Sequence, residues 1–179
     1  MGLRMDLIPK KGIRIESQHD ILLNMSKESV LKMLGEPQDI SRSQFFYPGN
    51  IVENRERFYY TNIWIAIDFL NDKIESFETG KNEEFYFNNI NLSKEDFKTT
   101  IAELKQLEYT AIVNDDTYKF DSLNFFIYAP NNGDSGEELE SLGIYTDGCF
   151  EKMNRETEEY DTTSKTENGI WKVFHTLKK

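Results

Sequence analysis

The sequence predicts an α+β protein made of two related units, each a helix followed by a small antiparallel sheet. The six residues from Asn24 to Ser29 are echoed from Asn91 to Asp96, since both read Asn, apolar, Ser, Lys, Glu, small polar. After each echo the apolar spacing changes from a helical period to a strand period. The pattern therefore predicts a pseudo-repeat with one helix and about four strands in each unit.

Each echo predicts the start of a helix. Ser26 and Ser93 suit the N-cap position, because a serine hydroxyl accepts an early backbone N–H. The first helix is predicted at about 27–34 and ends at Gly35. The second is predicted at about 94–107, where apolar residues recur on one face. A common type of helix start, without duplication, is the alternative explanation of the echo.

Strand-like segments follow each predicted helix and are separated by turn-type residues. The predicted strands are 45–47, 57–60, 64–69 and 73–77 in the first unit, and 109–113, 117–120, 124–129 and 139–145 in the second. Short strand-like pieces precede the helices at 13–15 and 85–87. A two-layer unit of this kind buries one face of its sheet and leaves the other to water or a partner.

Composition divides the chain into three parts. Residues 1–80 are predicted to form the first unit, 81–148 the second, and 149–179 a linker and a tail. The acidity is concentrated in the second unit, which holds 5 basic and 14 acidic residues (5 − 14 = −9), while the whole chain carries −11. Residues 151–168 are typical of a solvated linker. Residues 170–177 alternate apolar and polar side chains, which predicts a strand-like C-terminal tail.

The negative charge opposes nucleic-acid binding and favours a basic partner. Cys149 is the single cysteine, so a disulfide within the chain is excluded. The longest apolar run, 63–67, is far shorter than the roughly 20 residues of a membrane helix. The first residues lack the apolar stretch of a secretory signal. These features predict a cytoplasmic protein that does not enter a membrane.

Sequence motifs for catalysis, metals and cofactors were not found. His19 and His175 are far apart and do not have the spacing of a zinc site. The loop 131–138 departs from the calcium-binding EF-hand pattern and is typical of a hairpin connection. A nucleophile elbow, a phosphate loop and a dinucleotide fingerprint are absent from the sequence. We therefore expect no enzymatic activity, no cofactor and no metal.

Asp68 interrupts the apolar strand predicted at 64–69. Strand alternation places Asp68 on the same face as Trp64 and Ala66, opposite Ile65 and its apolar neighbours. This position is typical of the exposed face of a strand.

The second unit mixes carboxylates with eleven aromatic residues. Because strand alternation cannot bury all of these rings on one face, some tyrosines are expected on an exposed sheet face among acids. Tyrosine is common at protein interfaces, and surrounding acids steer a basic partner. The predicted contact residues are Tyr86, Tyr118, Tyr128, Asp115, Asp116, Glu137 and Glu138. The alternative is that these tyrosines cover a wet sheet face without binding anything.

The helix starts at Asn24 and Asn91, with the strands that follow them, resemble the β-lactamase-inhibitor-protein-like architecture over residues 13–145. In that architecture two sheets form a concave face that grips a partner, so the resemblance implies protein binding. The segment Ser29–Pro37 is similar to the helix-to-Gly-x-Pro opening of related outer-membrane-assembly domains. The secretion signal and disulfides of the inhibitor family are missing, so its target is not carried over. The composition is also similar to that of acidic bacterial immunity proteins.

Three functions remain open from the sequence. The first is a non-enzymatic protein-binding module, of which an immunity-type inhibitor is one form, that docks a basic partner through an acidic, Tyr-rich sheet face. The second is a small-molecule or lipid-binding domain with an apolar pocket of several hundred Å³ between sheet and helix. The third is an enzyme whose site is built from converging carboxylates with perturbed pKa values.

Overall fold

The computed structural model describes residues 3–16, 19–47, 51–80, 84–93, 97–114, 116–129 and 140–149, without the side chains of 44–47, 51, 52, 97 and 114. The described residues form thirteen strands and two helices. The helices are α1 (Lys27–Leu34) and α2 (Phe97–Gln106). The strands are β1 (Arg4–Ile8), β2 (Gly12–Ile15), β3 (His19–Leu22), β4 (Asp39–Tyr47), β5 (Ile51–Tyr60), β6 (Ile65–Leu70), β7 (Lys73–Gly80), β8 (Glu84–Phe87), β9 (Ile90–Asn91), β10 (Ile112–Asn114), β11 (Thr117–Phe120), β12 (Phe125–Tyr128) and β13 (Ser141–Tyr145).

The larger sheet has eight strands in the order β10-β11-β12-β13-β7-β6-β5-β4, and each neighbouring pair is antiparallel. The four strands after α1 form one meander, and the four strands after α2 form another. The two meanders join where β13 pairs with β7, with Leu142 opposite Thr79 and Ile144 opposite Phe77. The halves of the chain therefore share one continuous sheet.

The smaller sheet has five strands in the order β3-β2-β1-β8-β9. β1 is antiparallel to β2 but parallel to β8, where Met5 lies opposite Phe85. The strands predicted at 13–15 and 85–87, which precede the two helices, therefore lie in β2 and β8, and both of these strands pair with β1. This sheet, like the larger one, combines strands from both halves of the chain.

The predicted α+β fold of two helix-plus-sheet units is wrong. The described residues are mostly β, at 53% strand and 15% helix, and their two sheets have five and eight strands. Each strand predicted after a helix overlaps an observed strand, but β4 and β5 are much longer than predicted and β1, β3 and β9 were not predicted, so the error lies in the strand content as well as in the assembly. A free edge strand presents unpaired backbone N–H and C=O groups, and pairing β7 with β13 satisfies those groups at the meeting edge.

The two echoed hexapeptides lie in unlike settings. Ser26 caps α1, since its hydroxyl accepts the N–H of Ser29 at 3.3 Å. Ser93 instead accepts the N–H of Phe85 at 3.0 Å, which ties it to β8. Asn24 has a left-handed backbone with φ of 64°, whereas Asn91 is the last residue of β9. The echo therefore does not mark equivalent structural positions.

The bounds predicted for α1 are confirmed. Glu28 lies in its first turn and Lys32 in its last, where each charge complements the helix dipole. Gly35 ends the helix with φ of 76°, a conformation that glycine adopts without steric cost, and its N–H bonds to the carbonyl of Leu31 at 2.8 Å. The second helix is described from Phe97 to Gln106, within the predicted 94–107, and residues 94–96 lie outside the described residues.

One hydrophobic core lies between the two sheets. Two rows of facing residues cross the inner side of the larger sheet. One row is Phe120, Phe125, Ile144, Phe77, Ile67 and Phe58, and the next is Tyr118, Ile127, Leu142, Thr79, Ile65 and Tyr60. From the smaller sheet, Phe85 stacks on Phe125 with ring centroids 6.1 Å apart. Val30 and Leu104 bring α1 and α2 to the same core.

The predicted division of the chain at residues 80 and 81 stays a prediction. Strands on both sides of it share both sheets and one core. Of the third predicted part, 149–179, only Cys149 is described, and its side chain is buried. The strand-like tail predicted at 170–177 lies outside the described residues.

Gly143 is required where β13 passes under the ring of Phe126. A β-carbon at this position would overlap that ring and would approach the carbonyl oxygen of Phe77 to 2.7 Å. We expect Gly143→Ala to destabilise the fold by about 1–3 kcal/mol through overpacking. Gly80→Ala is the control, because a β-carbon there meets nothing within 4 Å. Urea unfolding of both variants checks this, and equal losses would contradict the close approach.

Candidate functional site

The side of the larger sheet that faces away from the core carries a band of charged and aromatic residues. Two rows alternate with the core rows. One runs through Lys119, Phe126, Gly143, Glu78, Ala66 and Tyr59, and the other through Tyr145, Ser76, Asp68 and Arg57. Tyr128 follows Phe126 on the same face by strand alternation. We call Arg57, Asp68, Glu78, Lys119, Phe126, Tyr128 and Tyr145 the outer band.

Arg57 is the centre of the charged half of the band. Its guanidinium contacts Asp68 Oδ2 through Nη1 at 3.3 Å and binds the carboxylate of Glu78 through Nη2. Burial lowers the pKa of Arg57, but the two carboxylates outweigh this effect and raise it above the ordinary value. Solvent reaches the cluster, because the side chains of Arg57 and Glu78 keep 33% and 34% of their surface exposed.

Asp68 lies where strand alternation predicted it, on the face of Ala66 and opposite the buried Ile65, Ile67 and Phe69. It accepts a hydrogen bond from Ser76 Oγ at 2.8 Å. Burial raises the pKa of Asp68 above its ordinary value, and Arg57 and Ser76 offset that effect only in part. Asp68 thus favours its neutral form more than a surface aspartate does.

The aromatic half of the band is held by its own polar contacts. Tyr145 donates its hydroxyl hydrogen to Asp121 at 3.1 Å, and Lys119 Nζ lies 3.2 Å from the same carboxylate. Lys119 also lies over the Tyr145 ring, 5.7 Å from its centroid. The ring of Phe126 lies 6.4 Å from that of Tyr145 and covers Gly143. Tyr145 keeps only 4% of its surface exposed, so Phe126 and Tyr128 are the rings that reach solvent beside the charged cluster.

The tyrosines predicted from the sequence are not brought to one face. Tyr128 lies on the outer band, but Tyr118 belongs to a core row and packs against the core. Tyr86 lies in the smaller sheet, where the guanidinium of Arg4 stacks 4.2 Å from its ring centroid and Glu84 accepts its hydroxyl hydrogen at 3.3 Å. The predicted Tyr-rich face is therefore divided among two sheets and the core.

The predicted acidic contact residues are described only in part. Asp116 directly precedes β11, and its backbone carbonyl accepts the N–H of Ala129 at 2.9 Å. It therefore lies near the end of β12 that carries Tyr128. Asp115, Glu137 and Glu138 lie outside the described residues.

A polar cleft of about 350 Å³ opens beside the first turn of α1. It is lined by Lys27, Asn54, Glu56, Phe69, Asn71 and Asp72. Lys27 Nζ bridges Glu56 at 2.7 Å and Asp72 at 2.6 Å, and Arg42 reaches Glu56 at 2.9 Å. Burial opposes ionisation of Glu56, but hydrogen bonds from Lys27 and Arg42 outweigh it and hold its pKa below the ordinary value. The charges of this cleft therefore stabilise one another.

Sequence analysis missed two exposed features. Trp64 keeps 54% of its surface exposed directly before β6 and has φ of 49°. Ile112 and Val113 are 57% and 54% exposed on β10. Strand alternation did place Trp64 on the same face as Asp68. The exposure of both faces of β10 depends on which strand lies at the edge of the sheet, and the residue pattern of a single strand does not contain that information.

Among the described residues, no group of three or more histidine, cysteine, aspartate and glutamate side chains is arranged to hold a metal ion. None of the described helices is long and apolar enough to cross a membrane. Comparisons with protein-family models, curated proteins and solved structures gave no match to this chain. The resemblance to β-lactamase-inhibitor-like proteins stays a prediction from the sequence.

Asp68 and Glu56 should change stability with pH in opposite directions. The pKa of Asp68 is higher in the folded chain than in the unfolded chain. Its contribution to stability is therefore fully present below the pKa of the unfolded state and is lost as the pH rises through the pKa of the folded state. The pKa of Glu56 is lower in the folded chain than in the unfolded chain. Its contribution to stability is therefore fully present above the pKa of the unfolded state and is lost as the pH falls through the pKa of the folded state. Urea unfolding from about pH 3 to about pH 7, compared with Asp68→Asn and Glu56→Gln, checks both signs. Parallel profiles would contradict the assignment.

Tyr118 and Tyr128 should differ in their contribution to folding. We expect Tyr118→Ala to cost about 2 kcal/mol, because it removes a ring that packs against the core. We expect Tyr128→Ala to cost less than about 1 kcal/mol, because its half-buried ring faces away from the core. Equal costs in urea unfolding would show that the two rings do not lie on opposite faces.

Proposed function

We propose that this chain is a non-enzymatic protein-binding module that docks its partner through the outer band. The observation that carries the proposal is one continuous sheet face on which Arg57 and the half-buried Phe126 and Tyr128 lie with carboxylates, while the opposite face is closed by the core. Arginine and aromatic side chains are enriched at protein interfaces and dominate their binding energy. A flat sheet face held by cross-strand contacts is also preorganised for docking.

A basic partner fits the charge of this face. Asp68 and Glu78 share the single guanidinium of Arg57, so that cluster keeps a net negative charge when both acids are ionised. Asp147 adds a carboxylate that is bound by the side-chain amide of Asn124 at 2.8 Å. A partner's lysine or arginine at this face would be attracted over long range by a chain of net charge −11. Immunity-type inhibition in the cytoplasm is the biological setting that we propose.

The alternative function, binding of a small molecule or lipid, requires an apolar pocket, and the structure gives this requirement less support. Near Ile13, Ile65 and Phe85, the space between the sheets is only about 10 Å³, which is close to the size of one water molecule. The larger cleft beside α1 is lined mostly by polar groups, and Lys27, Glu56 and Asp72 are already paired in it. A lipid or another apolar ligand would have to break those ion pairs.

Site-specific photo-cross-linking tests the proposal. A photoreactive phenylalanine analogue replaces Tyr128 in the full chain, which is expressed in its native cells, and the adduct is identified by mass spectrometry. We expect a discrete adduct with one basic protein, because Tyr128 lies within the proposed interface. The matched control places the analogue at Tyr86, on the other sheet, where no such adduct is expected.

The affinity for the cross-linked protein is then measured with purified proteins. Phe126→Ala and Tyr128→Ala should each weaken binding by about tenfold or more, as expected for aromatic anchors. Tyr86→Ala should leave the affinity unchanged. Two outcomes would contradict the proposal that the outer band is the interface. One is that the analogue gives the same adduct at Tyr86 as at Tyr128, and the other is that neither Phe126→Ala nor Tyr128→Ala changes the affinity.

A further inference from the structure

β10 leaves one side of the larger sheet open among the described strands. Within the described part of the chain it is the last strand of the sheet and pairs only with β11, in the register Ile112 opposite Lys119 and Val113 opposite Tyr118. Ile112 and Val113 point to opposite faces by strand alternation, yet both are more than half exposed. Leu107, just after α2, is 42% exposed as well. The edge thus combines an open backbone ladder with apolar side chains.

This combination is unusual for an edge strand. Natural sheets protect their edges with charged side chains, prolines or bulges, because an exposed edge pairs readily with another chain. Here the first two residues of the three-residue strand are β-branched and apolar, which favours strand pairing and provides surface for an incoming strand to cover. The edge is therefore suited to strand addition, in which main-chain hydrogen bonds bind an extended peptide.

The local charge decides between a second copy and a foreign strand. Glu108 precedes β10 and Asp116 follows it. The whole chain carries a net charge of −11, and Lys119 lies opposite Ile112 on the neighbouring strand. A second copy would bring the same excess of negative charge to the contact, whereas a basic strand would be attracted.

We propose that β10 is a second docking site, which accepts an extended basic segment of a partner protein as a ninth strand of the sheet. Its recognition elements are the backbone of β10 and the apolar side chains of Ile112 and Val113, and the net charge of −11 on the chain attracts the basic segment. The site lies at the edge of the sheet, where Ile112 is opposite Lys119 at the margin of the outer band, but the backbone of β10 and Val113 do not belong to that band. Binding there would leave Phe126 and Tyr128 free.

The probe is a synthetic peptide in which lysine and valine alternate, titrated into the isotope-labelled full chain and followed by amide NMR and hydrogen exchange. We expect the amides of 112–114 to shift and to gain protection from exchange. The same peptide with alternate backbone nitrogens methylated keeps its charge but cannot pair along that edge. Its binding should be at least about tenfold weaker, and equal binding would reduce the effect to non-specific charge attraction and overturn the proposal.

Variants locate the site. Val113→Lys replaces an exposed side chain with a charge and should weaken peptide binding by about tenfold. Leu22→Lys is the matched control, since Leu22 is 36% exposed on β3, the edge strand of the smaller sheet. Loss of binding in the Leu22 variant but not in the Val113 variant would overturn the assignment to β10.

Two further measurements separate this inference from the alternatives. Tyr128→Ala should leave peptide binding unchanged, whereas a loss in that variant would assign the peptide to the outer band and overturn the β10 site. Analytical ultracentrifugation of the full chain should show no self-association through β10. A dimer that Val113→Lys dissociates would overturn the proposal in favour of a second copy of this chain.

Discussion

The antiparallel pairing of β7 with β13 is the contact on which the rest of the molecule depends. It joins two meanders that are far apart in sequence, and it aligns Phe77 with Ile144 and Thr79 with Leu142. That alignment makes the core rows continuous across the larger sheet from β11 to β5. The smaller sheet therefore packs against one continuous apolar face. A slip by one residue would turn every core side chain of one meander to the opposite face, so the register is strongly specified by burial.

The same register assembles the outer band. When core residues of β7 and β13 face inwards, Glu78 and Gly143 face outwards as neighbours, and Phe126 lies over the glycine. The charged half of the band comes from β5, β6 and β7, and the aromatic half comes from β11, β12 and β13. The outer band therefore exists only because the pairing of β7 with β13 holds the two meanders side by side. Its residues come from both halves of the chain.

Local sequence patterns predicted individual elements well where short-range physics decides them. Ser26 and Gly35 bound α1 because capping and left-handed termination act within a few residues. Alternation placed Asp68 opposite Ile67, since a strand has a strict period of two. The echo between Asn24 and Asn91 failed, because similar local sequences were placed in different backbone settings: Asn24 has a left-handed backbone, whereas Asn91 is the last residue of β9.

The order of residues is enough to identify the strongly acidic middle segment, the bounds of α1, and the apolar faces of β6 and β12. Strand neighbours become known from the folded chain alone, which shows that Tyr118 packs inwards while Tyr86 and Tyr128 belong to different sheets. The physical reason is that helix capping and side-chain alternation are set within a few residues. Strand pairing instead joins backbone groups that are distant in the chain, and nothing in a single strand specifies its partner or tells whether it lies at an edge.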